Sequence, residues 1–469
     1  MDSWAANEAL TAQASVFPLS PIEELVTPRS EAITADKFGD HKPITVHLTG
    51  EISVRDRAEP FQGEMFVGRP GDIVFSKIDA RLGAIGVIPE SIGTAVVTGE
   101  YPIHSPNADA LDADYLKLVL RTGHFIADLR QKASGTSGRK RVTPEAFRSL
   151  RVPRPEVEDQ QSLIAAYQAA LAQAAALEVE AAKAEANGLR AFEAALGIVA
   201  PPPLPDRPLF VARFSDFGRW GHEAVLRRVT GTEPPPSPYP IVTLEDVIAD
   251  VRVGYSPKCL TVAADDGEWG VLKLSAVTSG KFVAHANKAV RSSADIRPAL
   301  QVKTGDVLIA RGSGVTKFVG AACVVTNHQS KLLLSDLIFR VDFGEPRAIL
   351  PEFLACVLAT PTVRRQIEET RTGAAPGIQK TTKGALLQLT FPMPTDLSVQ
   401  TTLAADLNAA QSAAAAFRGE ALIMRRDAWR AFETAIYGEA SEISPPDEAD
   451  DQVDHEVDLS QPDEGPVSG

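Results

Sequence analysis

Between Arg130 and Arg154 the chain carries eight basic residues, Arg130, Lys132, Arg139, Lys140, Arg141, Arg148, Arg151 and Arg154, against one acid, Glu145. The densest part, SGTSGRKRV (134–142), is rich in glycine and serine. Its backbone can approach a phosphate beside Ser137 while Arg139, Lys140 and Arg141 neutralise the charge. The second half has a counterpart: Arg364, Arg365, Arg371, Lys380 and Lys383 surround TGAAPGIQKTT (372–382), which includes Thr381. A solvated helix-loop surface accounts for either cluster alone. Two clusters at corresponding places in an acidic chain point to DNA contact. A second candidate surface follows two Gly-Asp segments. In FSKIDAR (75–81), Lys77, Asp79 and Arg81 alternate and are expected on one face of a strand. In LIARGSGVTK (308–317), Arg311 and Lys317 flank a Gly-Ser-Gly turn containing Ser313. Arg or Lys can donate to guanine O6 and N7, and Asp can accept from cytosine N4. A surface ion pair between Asp79 and Arg81 is the plain alternative.

Other chemistry finds little support. No stretch has the glycines, Lys and Ser/Thr of a phosphate-cradling loop, and the proline runs lack the aromatic partner and glycine-rich context of an amino-methyltransferase. The triplet Asp40-His41-Lys42 is half of a nuclease metal site at most, and such triplets are common by chance. The eight histidines fall singly, and Cys259, Cys323 and Cys356 match neither a zinc-ligand spacing nor a disulfide framework. No catalytic residue, metal or cofactor is expected.

At 469 residues and 44% hydrophobic content the chain should fold as two or more domains. The formal net charge is −14, but eleven carboxylates lie in 439–469, which has no Lys or Arg, so residues 1–438 carry −3 of it. That proline-containing, one-signed tail reads as disordered and solubilising. No basic-then-apolar leader and no run of 18 apolar residues is present, so a cytoplasmic protein with no membrane contact is expected.

The positions of the clusters follow from an internal duplication. FPLSPIEELV (17–26) answers YPIVTLEDVI (239–248), GDIVFSKID (71–79) answers GDVLIARGS (305–313), SLRVPRP (149–155) answers QLTFPMP (388–394), and RAFEAALG (190–197) answers RAFETAIYG (430–438). The offset grows from 222 through 234 and 239 to 240. Each half is thus a variable domain followed by a more constant segment. The variable parts read as α+β, with helical periodicity over 113–132 and 351–369. The constant segments have apolar residues in 4-3 steps. One row runs from Leu163 through Tyr167, Ala170, Ala174, Leu177, Ala181 and Ala184, breaks at Gly188, and resumes at Ala191 and Ala195. The other runs from Leu403 through Leu407, Ala410, Ala414, Phe417, Ala421, Met424, Ala428 and Ala431 to Ala435. Matching register and length predict an antiparallel coiled coil; two separate amphipathic helices are the alternative. The expected division is domain 1 over 1–157, helix 1 over 158–197, a Pro-rich linker over 198–208, domain 2 over 209–396, helix 2 over 397–438 and the tail over 439–469.

GDIVFSKIDARLGAIG (71–86), KASGTSGRKRVTPEAF (132–147) and GDVLIARGSG (305–314), in this twice-used order of variable domain, Pro-containing strand and long helix, resemble the specificity subunits of type I restriction-modification systems. The resemblance extends to about Tyr437. It implies that each variable domain is a target-recognition domain reading one half of an interrupted sequence in double-stranded DNA. The paired helices would space the halves and dock two methyltransferase subunits, with restriction/translocase subunits completing a phage-defence complex. A helix from Leu163 to Leu196 is about 50 Å long, against about 34 Å for ten base pairs, so several unread base pairs are expected between half-sites. A bifunctional nuclease-methylase specificity subunit, another phage-defence methylation complex, and a coiled-coil scaffold without DNA contact remain the alternatives.

Overall fold

The structure is a computed structural model, which describes residues 15–33, 41–55, 64–133, 141–199, 211, 222–232, 235–326, 331–373 and 377–438. The chain divides into two compact units. Unit 1 comprises residues 1–178 and 418–469, and unit 2 comprises 179–417. The acidic tail and most of the Pro-rich linker lie outside the described residues.

In unit 1, strands β1 (Val26–Arg29), β2 (Ile73–Phe75), β3 (Ile85–Val87) and β4 (Ile103–Pro106) form an antiparallel sheet in the order β1-β4-β2-β3. In unit 2, β5 (Asp250–Val253), β6 (Val307–Ala310), β7 (Ala322–Val324) and β8 (Ile338–Asp342) repeat that topology as β5-β8-β6-β7. Strands β2, β3 and β6 are buried throughout, whereas the edge strands β1 and β5 are polar in part and half exposed. Each unit adds a second sheet containing a parallel pair, Lys42–Val46 with Ala95–Thr98 in unit 1 and Trp269–Leu272 with Lys331–Leu333 in unit 2. Among the described residues unit 1 builds five strands there and unit 2 three, which is where the halves diverge.

The helical stretches expected over 113–132 and 351–369 are each two helices. Ala113–Val119 is followed by α1 (Gly123–Lys132), and Pro351–Ala359 by α4 (Pro361–Thr370). Thr122 and Thr360 break them. Each is buried and extended; its hydroxyl donates back to Val119 O or Val357 O at 2.7 Å and accepts from Phe125 N or Val363 N at 3.4 Å. That is an N-cap, which the 3.6-residue period does not reveal. Shorter helices α2 (Pro144–Arg148) and α5 (Lys383–Leu387) are capped alike by Thr143 and Thr382.

The constant segments form α3 (Val157–Ala195) and α6 (Leu397–Tyr437). Contacts within each unit make them antiparallel. In unit 1, Tyr167 packs on Trp429 and Phe432 while Glu178 pairs with Arg425; in unit 2, Gly188 meets Leu407 and Ala410. Helix α3 does not break at Gly188. The glycine brings the helices close: an added Cβ would lie 2.5 Å from Ala410 Cβ. The expected row holds up to this point, with Ala174, Ala181, Ala414 and Ala421 buried, and then slips in both helices. Phe192 and Leu196 are buried instead of Ala191 and Ala195, and Trp429, Phe432 and Ile436 instead of Ala431 and Ala435. There each helix also enters a domain core that large side chains fill, and Trp429 and Phe432 do so while still packing on Tyr167 of α3. By length and composition α3 is also apolar enough to cross a membrane; its apolarity comes from alanine.

These side chains pack crosswise. Trp429, Phe432, Ile436 and Tyr437, from the second constant segment, belong to the core of unit 1 with Tyr115, Phe125 and Phe147. Phe192 and Leu196, from the first, belong to the core of unit 2 with Phe353 and Phe391. Polar groups obey the same rule: Glu433 accepts from Gly123 N at the start of α1, and Glu193 from Thr362 N in the first turn of α4, both at 3.0 Å. Two buried glutamines fix where the helices begin. Gln160 accepts from Asp112 N and donates to Ala110 O and Pro155 O; Gln400 accepts from Leu350 N and donates to Ala348 O and Pro394 O.

Candidate nucleic-acid interface

In unit 1 the candidate residues follow β2, but not as a strand face. The strand ends at Phe75, because the Ser76 hydroxyl accepts from Asp79 N at 3.1 Å and donates to its carboxylate at 3.2 Å, closing a turn. A single 3-10 turn, Ala80–Leu82, follows, so Lys77, Asp79 and Arg81 do not alternate on one surface. Lys77 extends its ammonium to Gly99 O at 2.6 Å, its N–H donates to Glu100 O, and its carbonyl accepts from Val142 N at 2.8 Å. Arg141, adjoining, pairs with the Glu100 carboxylate at 3.4 Å with both side chains about half exposed. The Gly-Asp segment and the end of the basic segment, sixty residues apart by number, therefore meet around Glu100. Arg130 Nε donates to Arg81 O at 3.0 Å and Arg121 Nη1 to Gly83 O at 2.6 Å, gathering three guanidinium-bearing residues on one turn. Ser137, Arg139 and Lys140 lie outside the described residues, as does Asp40 of the Asp-His-Lys triplet.

Unit 2 makes the same junction with different side chains. After β6, Gly312–Ser313 pairs antiparallel with Gln379–Lys380, Gly312 opposite Lys380 and Ser313 opposite Gln379. Thr381 N donates to Arg311 O at 2.8 Å, the counterpart of Val142 N to Lys77 O. Arg311 Nη1 donates to Asp336 O at 3.1 Å, and its guanidinium lies 5.6 Å from the Phe339 ring centre. Lys317 sits on the 3-10 turn Thr316–Phe318 with its ammonium over Phe318; its carbonyl accepts from Arg364 Nη2 at 2.8 Å. Ser313 and Thr381 are buried, so they stand behind this surface rather than on it. The Ser313 hydroxyl accepts from Val315 N, while Thr381 Oγ1 has no partner among the described residues. Lys383 opens α5 and forms an ion pair with Asp250, whose carboxyl that bond holds below the usual range.

Sequence reasoning missed Glu100, Arg121, Tyr255, Ser256, Arg297, Asp336 and Gln379. No spacing signals that Ser256 meets Asp336 or that Arg297 lies 3.6 Å over the Tyr255 ring. Burial raises the Cys323 and Cys356 thiols to about 12, as suits packed side chains. Among the described residues no three His, Cys, Asp or Glu side chains converge as metal ligands.

No family model matches the chain. The type I restriction enzyme EcoEI specificity subunit of Escherichia coli is 38% identical over 96 residues, which are 20% of this chain and 16% of that protein, so the match spans under a fifth of the curated relative's length. Among solved structures, a chain from work on complex assembly and conformational transition of the type I R-M system aligns over 89% of this chain and 96% of its own, at 15% identity and TM-score 0.51. The HsdS subunit from Thermoanaerobacter tengcongensis aligns over 90% of this chain and 97% of its own, at 16% identity and TM-score 0.39. The chain therefore shares the mixed α+β fold of that type I restriction-modification chain over most of its length, and carries a stretch of sequence similar to a type I specificity subunit.

Proposed function

We propose that the chain is the DNA-reading specificity subunit of a cytoplasmic type I restriction-modification complex and performs none of the chemistry itself. Each unit reads one half of an interrupted, asymmetric site in double-stranded DNA. Two methyltransferase subunits, with restriction/translocase subunits, act at the site so chosen. The observation that carries this reading is the repeated junction of a Gly-Asp strand end with a basic segment, Lys77 with Val142 and Arg311 with Thr381, presenting different side chains in the two units. A common scaffold with altered surface residues suits two related readers of different sequences. The residues assigned to DNA are Lys77, Asp79, Arg81, Arg139, Lys140, Arg141, Arg311, Lys317, Lys380 and Lys383, with Ser137 in the 134–142 segment, and Ser313 and Thr381 supporting from beneath.

Sequencing methylated genomic DNA from cells with and without this chain tests the proposal; a bipartite methylated motif should depend on it. Replacing Arg139, Lys140 and Arg141 by Ala should weaken DNA binding and flatten its salt dependence by up to about three phosphate equivalents. Motifs unchanged by loss of the chain, or methylation by the purified chain alone, would overturn the division of labour.

A further inference from the structure

Beside Arg311 stands a carboxylate that the proposed function leaves unused. Asp336 is exposed and lies in the turn between the strand Lys331–Leu333 and β8. Its carbonyl accepts from Arg311 Nη1 at 3.1 Å. Its carboxylate is fixed in place: the Ser256 hydroxyl donates to Oδ1, and Asp336 N donates to Ser256 Oγ at 3.3 Å. The loop bearing Ser256 is anchored in turn by Tyr255 N, which donates to Leu334 O at 3.0 Å. Gly254 permits that approach, since a Cβ there would lie 2.0 Å from Leu334 O. On the same loop the Arg297 guanidinium covers the Tyr255 ring. Two segments distant in sequence thus converge to hold one acid beside Arg311, with Arg297 over the ring that adjoins Ser256.

An acid on a surface that approaches phosphates is repelled by them and weakens binding independently of sequence. The cost is offset where the carboxylate accepts a hydrogen bond from a base. In the major groove the available donors are the amino groups of cytosine N4 and adenine N6, whereas guanine and thymine offer only acceptors to that position. Immobilising the carboxylate through Ser256 reduces the ordering cost of such a contact. We propose that Asp336 is a specificity-determining residue of unit 2, accepting from the amino group of a cytosine or adenine next to the group that Arg311 contacts. This rests on the reading of unit 2 as a DNA-recognition unit.

The alternative is a staple: Asp336 serves only to tie down the loop at Ser256. Asp336→Asn and Ser256→Ala separate the two in the full chain assembled with its partner subunits. Asn retains an oxygen for the Ser256 hydroxyl but adds donors, whereas Ser256→Ala removes the staple and keeps the carboxylate. Sequencing of methylated DNA should show that Asp336→Asn changes the preference at one base pair of one half-site, roughly tenfold or more, and leaves the other half unchanged. The base affected tells cytosine from adenine. Ser256→Ala should keep the preference with weaker binding. Should Asp336→Asn abolish methylation, binding to duplexes permuted at each position of that half-site reads the same preference. A preference kept by Asp336→Asn, or altered alike by both variants, overturns the proposal. A methylated sequence that survives exchange of the whole of unit 2 would instead refute the underlying reading.

Discussion

His104 shows how burial constrains a residue whose type suggests chemistry. It lies on β4 almost fully buried, stacked 6.0 Å from the Phe75 ring and tilted 5.3 Å from Phe147, with neither ring nitrogen hydrogen-bonded among the described residues. Burial first, and then the charge of Arg148, lower its pKa to about 4. The unfolded chain takes up a proton near pH 6.5 that the folded one refuses until about pH 4. Its effect on stability is therefore absent above pH 6.5 and grows unfavourable as pH falls, reaching about 3 kcal/mol near pH 4. By strand register, Val341 occupies the matching place in unit 2. We predict that His104→Val narrows the gap between unfolding free energies at pH 7 and pH 4.5, whatever its effect at pH 7 alone. An unchanged gap would mean that another group controls acid sensitivity. The basic segments were legible as residues because charge is visible in sequence. Their placement was not: Ser76–Asp79 hydrogen bonds override the alternation of Lys77, Asp79 and Arg81, and the Ser256–Asp336 contact depends on tertiary packing alone.

At the scale of elements, the helices show a local rule reversed by its context. In an open helix Gly→Ala is stabilising by about 1 kcal/mol. Gly419 on α6 has nothing among the described residues within 4 Å of the place a methyl group would take, so Gly419→Ala should raise the melting temperature. Gly188→Ala would press against Ala410, and overpacking costs about 1–3 kcal/mol, so it should lower the melting temperature. Melting curves of the two variants test this opposition, and stabilisation by both would show that the helices separate easily. The periodic row revealed these helices and their register as far as Gly188, since alanine spacing is a property of sequence. The slip beyond it was hidden because Phe192 and Trp429 answer to domain cores, which a repeat along the helix does not encode. The crosswise carboxylates carry a further prediction: Glu433→Ala leaves Gly123 N buried without this acceptor and should cost about 1–3 kcal/mol, while Glu433→Gln keeps an acceptor and should cost less. Equal losses would attribute the effect to charge rather than to the cap.

For the whole molecule, the duplicated sequence correctly suggested two related halves, but the linear order conceals which segments fold together. In unit 1 the Val16 N–H donates to Ile436 O, and the core requires Trp429, Phe432, Ile436 and Tyr437 from the far end of the sequence. Unit 1 is thus discontinuous in sequence. Replacing residues 1–155 alone by those of a relative would place these four side chains against a foreign core, and misfits there cost about 1–3 kcal/mol each when overpacked. Exchanging 1–178 together with 418–438 keeps the core intact. We predict that the second exchange yields a complex near the parent in thermal stability, with one half of the methylated sequence altered and the other retained, whereas the first melts several degrees lower. If 1–155 transferred a new half-site at full stability, the terminal segment would be an interchangeable support. If the larger exchange altered both halves, base choice would not reside separately in the two units.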